Sequence, residues 1–523
     1  MIWGGRAFLL LSVWVGAAGP ANAADTLETC LVQADRKCIV ELVLAGALAK
    51  PDPLDRIAAL VTLANLLALD DDTNAGLELL GFADATMVQL PEPEMQDEAR
   101  FLIAEGRARA GDFAGALAVT EQIEEPGRRA FALSTIAVTA GEAGALAFLE
   151  PLLPTLNDQL ADEVKEDLAE HFAAAGEWDR LIELCKTLVF WTPDLARWVL
   201  ADVAAVRGLD DALRLYELVP LPLKDFGARG LVDGFVRLGN LAIAQQLALA
   251  VRGPYHSDSA LAEVAEAAAR AGDMAFANAI IVGILDGETK GDALVKLAGV
   301  LAEKGDSAGA FAIAQQVVTA PPPTRTPAAA QRLPQLVYAA IAQALADRGD
   351  VAGALAAIAR ISDRGEHDAA LGAMVARRLD RGDAPGALLA LDQLLGGPSL
   401  TPPASLNLLR DSVRDLARVQ QTARAIALAQ ALPEGADRTL TLSRAAAAVI
   451  NRPEAARQLV DAAAQGLGAI APNRREAAAA RIAVLRARAR ESVTAAALLR
   501  DLGEDKRTEA LLAIAFPEFQ PLP

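Results

Sequence analysis

One phrase recurs along this chain with little change: ARAGDFAGALAVTEQ (Ala108 to Gln122), AEKGDSAGAFAIAQQ (Ala302 to Gln316) and ADRGDVAGALAAIAR (Ala346 to Arg360). Self-similarity at a fixed period constrains architecture more than any single motif, because each unit has to bury its apolar face against its neighbours. The turn glycines of the series read as Gly111, Gly141, Gly176, Gly208, Gly239, Gly272, Gly305, Gly349 and Gly382, and subtraction gives intervals of 30, 35, 32, 31, 33, 33, 44 and 33 residues. A period of about 33 falls among two-helix solenoid repeats.

The residues around each turn agree with two helices per unit. Before Gly305, Leu294, Leu297, Ala298 and Leu301 stand at i, i+3, i+4 and i+7; after it, Ala310, Ile313, Ala314 and Val317 repeat that stripe. Tyr338, Ile341, Ala342 and Leu345 before Gly349, and Ala354, Ala357 and Ile358 after it, keep the same offsets. Glycine ends the first helix because it enters the left-handed region without a side-chain penalty. Aspartate next to it caps the second helix through its carboxylate. The alanine five residues after the glycine (Ala116, Ala310, Ala354, Ala387) is then expected to face the first helix where the pair packs closely.

A Gly-Asp turn before a helix with a required small residue resembles the tetratricopeptide repeat (TPR) family, over roughly Arg56 to the C-terminus. The large aromatics usual in that family are replaced by Ala and Leu in several copies, and no regular Pro closes each unit. The resemblance implies an all-α superhelical solenoid of helix-turn-helix repeats, whose concave surface binds peptides or proteins. It implies no ligand, since only turn and packing positions match.

Composition agrees. Hydrophobic residues make up 53% of the 523 but aromatics only 4%, so the core is built from Ala, Leu, Val and Ile, which suits closely approaching helices. A net charge of -19 opposes binding to phosphate backbones or anionic lipid headgroups, which need a basic surface. A protein or peptide partner is expected, and a nucleic acid is not.

Residues 1–23 read as a secretory signal peptide: Arg6, an apolar stretch from Ala7 to Ala18, and small residues ending at Ala21-Asn22-Ala23. The apolar stretch is shorter than the roughly 20 residues that span a bilayer, so no stable membrane insertion is expected after cleavage. The expected address is exported, and periplasmic if the source is bacterial. Residues 24–50 read as an N-terminal helical cap, 51–319 as a repeat array, 320–334 as a Pro-rich linker or loop, 335–515 as a second, more degenerate array and 516–523 as a tail. GGPSLTPPAS (Gly396 to Ser405) reads as a further connector, and Val419-Gln420 stands where a Gly-Asp turn is expected.

Cys30 and Cys38 lie eight residues apart; on one straight helix they would be about 12 Å apart, too far to bridge. A disulfide between them requires a break near Ala34-Asp35-Arg36, giving a stapled helical cap; the alternative is two reduced thiols. Cys185, among apolar residues, reads as a small core side chain. His171, His256 and His367 are the three histidines, and no HExxH, clustered Cys/His, GxxxxGK[ST] or GxSxG motif is present. No catalytic, cofactor-binding or metal residue is therefore assigned. Glu124–Glu125 and Asp70–Asp72 suit capping near turns, the Arg-Gly-Asp triplets at 348–350 and 381–383 fall on repeat turns, and Trp178, Trp191 and Trp198 suit packing or a groove. The leading functional expectation is a non-enzymatic scaffold. The alternative is a cell-envelope carbohydrate-active enzyme, or its accessory subunit, on an α-superhelix.

Overall fold

At Gly111, Gly176, Gly239, Gly272, Gly305, Gly349 and Gly382 the backbone takes the positive φ that a left-handed turn demands. The computed structural model describes residues 20–516 apart from 34–35, 71, 154–155, 157, 252, 397–401 and 404; they form 29 α-helices and no strand. The fold is all-α and TPR-like: helix-turn-helix units stacked side by side. In the Gly305 unit the first helix is Gly287–Lys304 and the second Ser307–Thr319. Asp306, Asp350 and Asp383 each accept a hydrogen bond from the amide three residues on, at 2.8, 2.8 and 3.0 Å. Ala116, Ala310, Ala354 and Ala387 are fully buried, as the pattern required.

One turn differs from the sequence reading. Gly141 lies inside the helix Pro126–Glu142, buried, and the left-handed residue is Gly144. Subtraction then gives 33 from Gly111 and 32 to Gly176, so the period is steadier than it looked. Where the series lacks glycine, the geometry persists: Gln420 and Arg490 both take φ +64°. Proline also has a use the sequence reading did not assign, opening first helices at Pro53, Pro93, Pro126, Pro193, Pro254 and Pro327, where a missing N–H costs nothing.

In the stretch 320–334, expected as a linker or loop, the loop is shorter and lies inside one unit. Only 320–326 is non-helical; the next first helix, Pro327–Arg348, runs through Pro334 and packs on Gly287–Lys304. The loop is held down rather than free: Arg325 pairs with Asp286 at 3.2 Å, and a Cβ on Gly287 would stand 1.5 Å from the Pro323 carbonyl. The helices instead form two units, residues 1–90 with 379–523, and 91–378. The expected leader lies outside the described residues except for its last four positions, as do the tail beyond Phe516 and most of the 396–405 connector.

In the first unit both ends of the chain stack together. Pro20–Gln33 packs on Ser492–Arg500 and Arg36–Ala49 packs on Glu504–Ala515. The Ser492 hydroxyl donates to the Leu31 carbonyl (2.9 Å), Arg500 pairs with Glu28 (3.0 Å) and Lys50 with Asp505 (3.0 Å). The N-terminal hairpin thus continues the C-terminal array and shields its last apolar face.

In the second unit, helices approach to backbone contact. A Cβ on Gly230 would meet the Arg197 carbonyl oxygen at 2.2 Å, and one on Gly234 the Ala201 oxygen at 2.6 Å. Gly230→Ala is expected to lower stability by about 1–3 kcal/mol through overpacking, read by urea titration. Gln420→Gly and Arg490→Gly are expected to raise it by about 0.5–1 kcal/mol each, since glycine relieves the left-handed strain; no gain in melting temperature would contradict that assignment.

Candidate partner-binding groove

The first helices carry a second repeated position, 14 residues before the turn. Asp97, Asp162 and Asp258 occupy it, all buried. Each carboxylate reaches the backbone where the next unit begins. Asp97 accepts from Glu124 (3.0 Å) and Glu125 (2.8 Å), Asp162 from Val189 (2.8 Å) and Phe190 (2.6 Å), and Asp258 from Leu285 (3.2 Å) and Asp286 (2.6 Å). Gln335 serves Ser362 in the same way at 2.8 Å, and Glu476 serves Gly503 at 2.6 Å. A buried amide without an acceptor is costly, so these acids are inter-repeat clamps. Burial alone would raise the Asp97 carboxyl, but the amides of Glu125 and Glu124 and the Arg100 guanidinium outweigh it and hold it below the ordinary carboxylate range.

First helices of successive units pack directly on one another through most of the second unit, whereas close contact between second helices is confined to a few pairs. The first-helix layer is therefore the tighter one. A groove of 470 Å³ opens between Pro327–Arg348 and Arg364–Asp380. Ala339, Ala340, Ala369, Ala370 and Ala373 give it a shallow apolar lining, with Asp292 and Lys296 at one side. Polar struts bridge the two helices: Arg332 to Glu366 and Arg377 to Asp347, both at 2.7 Å, and Arg378 to the Ala346 carbonyl at 2.6 Å. Burial pushes the Asp292 carboxyl up. Such a groove offers apolar contact, adjustable charge at its rim and no positioned nucleophile.

A compact charge cluster lies on neighbouring first helices. Arg197 pairs with Asp233 (2.7 Å) and Glu263 (3.1 Å), and Arg229 also reaches Glu263 (2.7 Å). Burial, then the hydrogen bond and field of Asp233, push the Glu263 carboxyl above its ordinary value while Arg229 and Arg197 oppose the rise. Both carboxyls are engaged by arginine, Asp233 by Arg197 and Glu263 by Arg197 and Arg229.

The residues singled out in the sequence are dispersed. Cys30 and Cys38 are joined, with Cα atoms 5.5 Å apart, in the N-terminal hairpin. Cys185 is buried, and burial pushes its thiol up to about 12. His171 bonds the Glu142 carbonyl, His256 meets the Phe226 ring at a tilt and His367 lies beside Asp368. Trp191 is buried, and Trp178 and Trp198 are half-buried away from the groove. Arg348 of the first Arg-Gly-Asp donates to the Glu303 carbonyl at 2.8 Å, while Asp350 caps a helix; stacking employs both. Among the described residues no group of three or more His, Cys, Asp or Glu side chains could hold a metal, and no helix is long and apolar enough to cross a membrane. Sequence reasoning missed the clamps and the groove. The clamps had a legible signal, an acid 14 positions before a turn glycine.

No protein-family model matches the chain, and no curated protein matches it. Among solved structures it is similar to Ton1535 from Thermococcus onnurineus NA1 (14% identity, 76% of this chain and 99% of that one, TM-score 0.23). It is similar also to the pentatricopeptide repeat protein PPR10 in complex with an 18-nt psaJ RNA element (15%, 99% and 88%, TM-score 0.30). A third is Naa15/Naa10 bound to HypK-THB (13%, 94% and 82%, TM-score 0.32). At these scores the fold rests on the helices and turns described above.

Asp97→Asn is expected to cost about 1–3 kcal/mol at neutral pH by weakening a buried acceptor. Because the folded carboxyl titrates below its unfolded value near 3.9, the Asp97 contribution is complete above that value and disappears as pH falls through the lower, folded one. The melting temperatures of the two proteins should therefore converge in strong acid; a gap that persists there would contradict the clamp.

Proposed function

We propose that the protein is an exported, non-enzymatic scaffold that holds a protein or peptide segment in the groove between Pro327–Arg348 and Arg364–Asp380. The observation that carries this reading is the groove itself, lined by alanine and bordered by charge. Small side chains let a partner's backbone or helix approach closely, and the rim residues Asp292, Lys296 and Glu366 supply orientation. The net charge of -19 favours a protein over a nucleic acid. The carbohydrate-active alternative draws no support from the Asp233–Glu263 pair, which two arginines already engage.

A photo-crosslinker at Ala373, which lines the groove and is exposed, should give a reproducible protein adduct in intact cells of the source. Ala369→Trp, which fills the groove, should abolish that adduct while leaving the helical circular dichroism unchanged. A nuclease-sensitive adduct, no adduct, or turnover of a glycan by the purified protein would falsify the scaffold reading.

Export is tested separately. The leader pattern at residues 1–23 and the joined Cys30 and Cys38 support passage to an oxidising compartment. Protein isolated from the source without reductant, then denatured and alkylated, should take up one alkyl group, at Cys185, and three after reduction. Three before reduction would contradict both the disulfide and the address.

A further inference from the structure

Four polar side chains line the groove between Pro327–Arg348 and Arg364–Asp380: Asp292, Lys296, Gln343 and Glu366. Three of them are committed to the scaffold. Lys296 pairs with Glu266 at 3.0 Å, Glu366 pairs with Arg332 at 2.7 Å, and the Gln343 side-chain oxygen accepts from Arg377 at 2.8 Å. Asp292 has no hydrogen bond or ion pair among the described residues. Burial pushes its carboxyl up, Lys296 opposes the rise, and Glu288 and Asp286 add to it. A partly desolvated carboxylate set beside alanines, with further acids behind it, lacks the counter-ion that such a charge ordinarily finds inside a protein.

We propose that the protein segment held in this groove carries a lysine or arginine whose cation pairs with Asp292. The inference rests on the groove being the docking site, and it names the chemistry of what docks there. A basic side chain suits the place in both its parts: the methylene stem lies along the alanine lining while the charged head reaches the carboxylate at the rim. An acidic segment would be repelled by Asp292 and by the field of a chain of net charge -19. An uncharged segment would cover Asp292 and leave its carboxylate desolvated and unpaired, which is costly. Only a cation avoids both penalties, and its charge gives the segment a fixed register along an otherwise uniform row of alanines.

The probe is the segment that crosslinks at Ala373, sequenced by mass spectrometry and synthesised as a fluorescent peptide. Its sequence should contain a lysine or arginine, and anisotropy titration with the full chain should show affinity falling as salt is added. Asp292→Asn should weaken binding by about tenfold. Lys296→Gln should strengthen it by about two- to threefold, because the change removes a competing cation and leaves Glu266 with Arg270 alone. Both positions are exposed, and circular dichroism checks that the helices are intact. If either variant misfolds, replacing the basic residue of the peptide by norleucine makes the same test on the wild-type chain and should cost as much as Asp292→Asn. An absent adduct overturns this inference together with the groove reading. A peptide that Asp292→Asn binds as tightly as the wild type, or that Lys296→Gln binds more weakly, overturns this inference and leaves the groove standing.

Discussion

Everything in this architecture depends on how closely two helices can approach at the turn that joins them. Ala116, Ala310, Ala354 and Ala387 mark that point, each fully buried against the preceding helix. The turn holds the pair at this separation by two local devices, a left-handed residue that ends one helix and an aspartate that caps the next. Neither device alone stabilises much, with a cap worth about 1 kcal/mol. Their repetition lets a chain with 4% aromatics build a continuous aliphatic core, because helices lined with alanine bury area by proximity rather than by large side chains.

The same constraint explains which parts of the fold were legible in the sequence. Hydrophobic stripes and Gly-Asp pairs report local geometry, so the helices, caps and buried alanines could be placed from them. Gly141 misled because two glycines lie three residues apart at 141 and 144 and only the backbone decides which one turns. Gln420 and Arg490 carry no glycine signal, yet stacking on both sides imposes the turn. The 320–334 segment looked like a divider because proline density was read as a break. Pro327 in fact starts a helix, and Arg325 ties the loop to the preceding one. The division into units was invisible because it depends on the N-terminal hairpin packing on the last helices, a contact between residues more than 450 positions apart in the case of Lys50 and Asp505.

The candidate groove was less legible than the fold. Its lining runs from Asp292 to Met374 over three first helices, a juxtaposition that leaves no motif. Its alanines are indistinguishable in sequence from those that fill the core. Conversely, the groups that sequence reading singles out are absorbed by the scaffold: His171 bonds a carbonyl, His256 meets a phenylalanine ring, and the aspartates of both Arg-Gly-Asp triplets cap helices. In the second unit the first helices carry the clamps and line the groove.

The central claim is that a protein partner occupies the groove between Pro327–Arg348 and Arg364–Asp380. Cryo-electron microscopy of the complex captured by crosslinking at Ala373 tests it most directly. The account predicts partner density against Ala339, Ala340 and Ala370, with Asp292 or Lys296 in polar contact. Density confined to other surfaces, with this groove empty, would contradict it.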